Sequence, residues 1–227
     1  MKVKGLMVIG TDTGVGKTYV TCRLLEALRE QGISAIGMKP VASGMIEKQG
    51  KWLNEDVEAI LGASAGQPGR KIMNPYAFRP FVAPHLAARQ AGEQIELDKI
   101  LACYQQLGQQ AEMVIVESAG GLMTPLDGKA SFIELAQLLS TPVLLVVAIR
   151  LGCINHALLT VRALQAANIP LTGWLVNYPD AAEEQSPEVE KTLELRLAAP
   201  CVGRFSHDVT GTVCGKLDLD QILDFDM

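Results

Sequence analysis

The chain has 227 residues, a formal net charge of −5 and 48% hydrophobic residues, which suits one domain, residues 1–227, with a full core. Its basic residues are scattered through an acidic chain, leaving no electrostatic footprint for nucleic acid. No apolar stretch reaches membrane-spanning length, so no membrane partner is expected.

The first apolar run, residues 6–9, predicts a buried strand, and residues 19–31 place Leu24, Leu25 and Leu28 at helical spacing. Two lysines precede that run, but no small-residue cleavage site follows it, so it reads as structure rather than as a signal peptide and the cytoplasm is expected. Residues 35–39 predict a second strand ending in KPVASG, and Asn54 can cap a short helix through Leu61. Residues 64–84, rich in glycine and proline, predict an irregular lid or substrate wall. Helical patterns follow at 86–90 and 97–110. The run MVIVE, 113–117, predicts a strand ending in a carboxylate, and Ser131 with Glu134 makes a capping box for a helix through Leu139. Residues 142–149 form the most apolar strand, which belongs at the sheet centre. Residues 155–167 predict a helix and 172–177 a further strand. Ser186 and Pro187 suit a helix start, residues 202–205 a last strand, and 217–223 a closing helix.

Strands alternating with helices imply a three-layer α/β fold with a doubly wound, mostly parallel sheet. Ligands in such sheets gather at the carboxyl ends of strands. Five such ends, at 10–18, 39–44, 117–124, 150–155 and 177, carry polar or glycine-rich sequence.

The first of these ends, GTDTGVGKT, has the form of a phosphate-binding loop between strand and helix. Gly14 and Gly16 free the backbone to turn N–H groups around phosphate oxygens, and the following helix adds its positive dipole end. Lys17 would reach the terminal phosphates and the Thr18 hydroxyl would bind Mg²⁺. The strict pattern wants glycine where this chain has Thr11, because Gly10 falls one residue early. With the GKT ending and these flanks, a functionless turn is the weaker reading and a nucleoside triphosphate the expected ligand.

Glu117 ends its strand directly before Ser118, Ala119, Gly120 and Gly121, where an acid usually serves Mg²⁺ or its bound water. A capping or solvated glutamate is the alternative. Asp56 could join it, or could simply favour the dipole of the first helical turn beside Glu55 and Glu58. Lys39 ends a buried strand, where an ammonium is costly without an anionic partner. It would project toward the phosphates beside Lys17, unless it snorkels to water. The five cysteines, Cys22, Cys103, Cys153, Cys201 and Cys214, contain no C-x-x-C pair and read as free thiols in a reducing compartment. His85, His156 and His207 show no zinc spacing.

Taken in order, GTDTGVGKT, KPVASG, the helix carrying Asp56, NPYAF at 74–78, the Pro84-His85 step, VESAGG, LGCINHALLT and GWLVN resemble the dethiobiotin synthetase family over about the first four fifths of the chain. The resemblance implies a fold of the P-loop NTPase type, a homodimer, and closure of a cyclic urea from 7,8-diaminononanoate, CO₂ and ATP with Mg²⁺. One amine takes CO₂ to form a carbamate, whose oxygen attacks the γ-phosphate; the second amine then closes the ring. By the same resemblance Lys17 and Lys39 are the catalytic pair, and Thr18, Asp56 and Glu117 place Mg²⁺. The nucleotide falls to Thr13, Gly14, Val15, Gly16, Lys17, Thr18 and Tyr19 with Asp56, Glu117, Ser118, Ala119 and Gly120, and the adenine to Asn177. Thr13 and Ser43 bind substrate. Gly152, Cys153, Ile154 and Asn155 take its distant carboxylate across the dimer interface. From the residues alone, Asn155 is equally a helix cap and Asn177 a strand-end turn residue.

Three positions depart from the family pattern. Gly14 stands where many relatives carry a larger, often acidic residue, and Ser118 replaces a glycine. The segment 204–215 lacks the proline and glutamate that help hold the base, which leaves base selectivity open. Rival readings are an ATPase switch of the plasmid- or division-positioning kind, a nucleotide-binding regulatory module without turnover, and another kinase or ligase. The switch ATPases carry a signature lysine where this chain has Asp12.

Overall fold

A computed structural model of the chain describes residues 3–178, 186–207 and 213–224. Its elements run β1 (Gly5–Gly10), α1 (Lys17–Glu30), β2 (Ala35–Met38), β3 (Val41–Ser43), β4 (Ile46–Lys48), β5 (Lys51–Leu53), α2 (Glu55–Ala63), α3 (Arg70–Met73), β6 (Tyr76–Phe78), α4 (Pro84–Ala91) and α5 (Leu97–Leu107). They continue with β7 (Met113–Gly121), α6 (Phe132–Leu139), β8 (Val143–Ala148), α7 (Cys153–Ala166), β9 (Leu171–Asn177), α8 (Ser186–Arg196), β10 (Cys201–His207), β11 (Val213–Leu217) and α9 (Leu219–Leu223).

Among the described residues, seven strands form one sheet in the order β11-β10-β9-β8-β1-β7-β2, and every pairing in it is parallel except β10 with β11. The expected fold is present, and β8 occupies the central position expected of the most apolar strand. Its residues Leu144, Val146 and Ala148 enter one apolar cluster, shared with α1, α2 and α9. Val143, Leu145 and Val147 enter the other, built with α4 to α8. Strands β1 and β7 divide in the same way, so both faces are covered and the strands read as continuous hydrophobic runs. Trp174 of β9 lies wholly in the core, its indole N–H donating to the Ala199 carbonyl at 3.2 Å. Chain connections from β1 run toward β2 and those from β8 toward β9. The direction therefore reverses between β1 and β8, where such sheets bind ligands.

Several expectations need correction. Residues 64–84 are not wholly irregular, since α3 and β6 lie within them and β6 pairs in parallel with β3. Strands of three residues carry too little periodicity to be read from sequence. β7 runs on to Gly121, and β4 and β5 form an unforeseen antiparallel hairpin. The closing helix begins at Leu219, because β11 takes the residues before it as an antiparallel edge strand. The Asn54 cap and the Ser131–Glu134 capping box are both made. Of the divergent segment 204–215, residues 208–212 lie outside the described residues, as does the side chain of Ser186. Among the described residues no helix is long and apolar enough to cross a membrane.

Candidate active site

The carboxyl ends of β1, β2 and β7 open into a cavity of about 700 Å³ lined by Thr13, Gly14, Gly16, Lys17, Thr18, Tyr19, Lys39, Ser43, Asp56, Glu117, Ala119 and Gly120. Lys39 is placed there by backbone contacts. Its N–H donates to the Met73 carbonyl at 3.0 Å, and its own carbonyl accepts from the Asn74 amide at 2.6 Å. Asn54 performs a second clamping role. Its Oδ1 caps α2 by accepting from Val57 N–H, while its Nδ2 donates to the Gly44 carbonyl at 2.9 Å. The ends carrying Ser43 and Asp56 are thereby held together.

At the cavity floor the Lys39 ammonium sits 2.5 Å from Glu117 Oε1 and 2.7 Å from Asp56 Oδ2. The Thr18 hydroxyl donates to Glu117 Oε1 at 2.7 Å, and Lys17 Nζ donates to the Asp12 carbonyl at 3.0 Å. Glu117 is fully buried, and its second oxygen, Oε2, has no hydrogen-bond partner. An orphaned carboxylate oxygen beside a hydroxyl and a second carboxylate is a set of hard donors, which suits Mg²⁺. Among the described residues no cluster of three or more His, Cys, Asp or Glu forms a metal cage. Mg²⁺ needs none, since it keeps waters and shares phosphate oxygens.

Charge in this cluster is uneven. Burial alone would lower the Lys39 pKa, but Glu117 and then Asp56 outweigh it and raise the group above its ordinary value, so Lys39 stays protonated. Asp56 is held below the usual carboxylate range: burial opposes this, and Lys39 together with its hydrogen bond prevails. Lys17 moves the other way, from 10.5 to about 8, through burial first and then the Lys39 charge. A bound triphosphate would raise that value again. Below about pH 8 Lys17 is already largely charged, so affinity should be flat there. Above it, binding must take up a proton, and apparent triphosphate affinity falls by up to about tenfold per pH unit. Calorimetric titration of Mg·ATP in buffers of differing ionisation heat should show proton uptake at pH 9 and little at pH 7. Cys22, on α1, has its thiol pushed up to about 12 by burial first and then Glu117, which disfavours the thiolate.

The phosphate loop is braced from below. Asn177 donates from Nδ2 to the Val15 carbonyl at 2.9 Å, and Gly16, at φ +91°, lies so close that a β-carbon would stand 2.2 Å from that nitrogen. Asp12 Oδ2 pairs with Arg150 at 2.6 Å, tying the loop to the residues before α7. A β-carbon at Gly14 would meet open space.

Other sequence candidates lie elsewhere. Val15 and Ser118 are buried away from the cavity lining, and Ser118 Oγ donates to the Gly120 carbonyl. Asn177 is buried beneath the loop. Gly152, Cys153, Ile154 and Asn155 form the N-terminus of α7 outside this cavity, next to the fully exposed Leu151. The wall expected within residues 64–84 is present as Phe81, Val82, Ala83 and Pro84, whereas Asn54 and Thr124 in the lining, and Asn74 behind Lys39, were not foreseen as site residues. For Asn74 the NPYAF stretch was the available signal.

A family model described as an AAA domain matches residues 4–209. The ATP-dependent dethiobiotin synthetase BioD of Aromatoleum aromaticum is 46% identical over 87% of this chain and 88% of its own length. The protein of the same name from Nitrosospira multiformis is 46% identical over 97% of this chain and 95% of its own. This chain belongs to the dethiobiotin synthetase family.

The fold of this dethiobiotin synthetase family member is that of P-loop NTPases. A ParA family ATPase from Chlorobium tepidum matches with a TM-score of 0.55 and 13% identity over 92% of this chain and 87% of its own. The septum site-determining protein MinD of Pyrococcus horikoshii, complexed with Mg-ADP, gives 0.55 and 14% over 90% and 82%. At such identity the likeness concerns the fold alone. The switch ATPases are relatives in architecture, whereas the dethiobiotin synthetases match along the sequence itself.

Proposed function

We propose that the protein closes a cyclic urea, converting 7,8-diaminononanoate, CO₂ and ATP to dethiobiotin, ADP and phosphate in biotin biosynthesis. The observation that carries this reading is the convergence of two lysines, Lys17 and Lys39, on one cavity beside Thr18, Asp56, Glu117 and Ser43. A hydrolytic switch would need the phosphate loop but gives no reason for Lys39 at the end of β2.

In this scheme one amine of the substrate adds to CO₂ and loses a proton, giving a carbamate. A carbamate oxygen attacks the γ-phosphorus and ADP leaves. The second amine attacks the resulting anhydride carbonyl, and phosphate departs as the ring closes. Lys17 holds the terminal phosphates and Lys39 holds the carbamate against them, so their task is positioning and neutralising charge as it develops. Thr13 and Ser43 orient the diamine. Thr18, Asp56 and Glu117 would hold Mg²⁺, which supplies further neutralisation of phosphate charge when bound. With Mg²⁺ held by these carboxylates, the Lys39 ammonium would be left free for the carbamate. Gly14, Gly16 and Tyr19, with Ala119 and Gly120, are assigned to the nucleotide cradle, with Val15 and Ser118 contributing only from behind its lining. The base contact is assigned to Asn177, which also braces the loop through the Val15 carbonyl.

The α7 N-terminus, with Gly152, Cys153, Ile154 and Asn155, is assigned to the carboxylate of substrate held by a second copy in a homodimer. A helix N-terminus suits an anion, and the exposed Leu151, Leu159 and Met123 suit burial. Free thiols at Cys22, Cys103, Cys153 and Cys201 agree with action in the cytoplasm. The test is incubation with the diamine, bicarbonate and Mg·ATP. Dethiobiotin should appear with one ADP per product; ADP release without product would overturn the reading.

A further inference from the structure

Phe81, Val82, Ala83 and Pro84 give the cavity an apolar wall that the reaction scheme leaves unused. Phe81 leaves 76% of its surface exposed, yet its ring is held in place. Gly44, at φ +82°, lies against it so closely that a β-carbon there would stand 2.5 Å from Phe81 Cδ1. The backbone on either side is pinned: Gly44 N–H donates to the Pro80 carbonyl at 2.8 Å and Met45 N–H to the Arg79 carbonyl at 3.1 Å. The Arg79 guanidinium lies over Trp52 of β5, 4.4 Å from the ring centroid. A large apolar ring at a cavity rim that its own neighbours leave mostly uncovered is a surface left for a ligand.

Ser43 precedes Gly44 in the chain, and Ser43 and Phe81 line the same cavity, so the ring shares that cavity with the hydroxyl proposed to orient the diamine. The nucleotide uses the opposite side. Its base is assigned above to Asn177 on β9, whereas Ser43 belongs to β3, which pairs with β6 outside the seven-stranded sheet, and Phe81 follows β6 in the chain. We infer that Phe81 is a specificity-determining residue whose ring packs on the carbon skeleton next to the reacting amines, with Gly44 kept bare so that the ring can stand there. This rests on the function proposed above. Phosphates and carbamate occupy the charged half of the cavity, and the hydrocarbon part of the diamine needs the uncharged half.

The experiment measures KM for 7,8-diaminononanoate and for Mg·ATP separately in the full-length protein, Phe81→Ala, Phe81→Leu and Gly44→Ala. Phe81→Ala should raise the diamine KM about tenfold or more while the ATP value stays within about twofold, the scale expected for losing an apolar pocket contact. Leucine should restore most of the loss. Gly44→Ala, which displaces the ring without removing it, should reproduce the alanine signature. An unchanged diamine KM in Phe81→Ala, or a parallel rise for ATP, overturns the inference and leaves the proposed function standing. A wild-type protein that forms no dethiobiotin overturns both.

Discussion

Lys39→Ala should lower dethiobiotin formation by about 10³-fold, the loss expected when a preorganised cationic group is removed from developing charge, while Mg·ATP still binds. Binding should survive because the phosphate loop and Lys17 are untouched. The variant should also reveal what Lys39 does in the free protein. Glu117 is fully buried, and Lys39 is its cationic partner at 2.5 Å. Removing one member of a buried pair costs about 3–5 kcal/mol, because the other charge is left unmatched. For a chain of this length that corresponds to a melting temperature lower by roughly 10 °C. Mg²⁺ should recover much of it by taking the position opposite the carboxylates. Thermal denaturation with and without Mg²⁺, beside a product assay, measures both. Near-normal turnover would refute the catalytic assignment, and a Mg²⁺-independent melting temperature would refute the shared cation site.

Gly16→Ala should weaken triphosphate binding severely. An alanine at φ +91° is strained by about 1–2 kcal/mol, and its β-carbon would drive into the Asn177 amide that supports Val15. Since loop amides must point inward together, a shift of one ångström forfeits several hydrogen bonds. Affinity for inorganic triphosphate should fall by about 10²-fold or more, as for lost charge-assisted bonds. Triphosphate without a base separates this effect from any contact of Asn177 with adenine. Gly16→Ala combined with Asn177→Gly should recover part of the loss, because it removes the collision and leaves the strain. Wild-type affinity in the single variant would show that the loop adapts.

The parts of this site legible in the sequence are those that physics restricts to few residue types. A strand buried on both faces must be continuously apolar, so β1, β7 and β8 could be read directly, and polar residues at their ends stood out. Lys39 was informative because an ammonium ending such a strand demands an anion; the structure supplies Glu117 and Asp56 as that anion in the free protein. The rest depends on contacts distant in the chain. Strands β3 and β6 have three residues each and exist because they pair with one another. Asn74 looks like a turn residue until its amide is seen holding the Lys39 carbonyl. Phe81 lies in a proline-rich stretch that reads as loop, and only its contact with Gly44 distinguishes it from an ordinary exposed aromatic. The role proposed for the α7 N-terminus rests on the family resemblance, since Gly152, Cys153, Ile154 and Asn155 do not line the cavity described above.

The stacking of Arg79 on Trp52 has an optical consequence. The protein contains two tryptophans. Trp174 is wholly enclosed, while Trp52 keeps 39% of its surface in solvent at the hairpin next to the Phe81 wall. Iodide therefore reaches one indole and not the other, and intrinsic fluorescence separates into a signal from the cavity rim and a signal from the core, with no label attached.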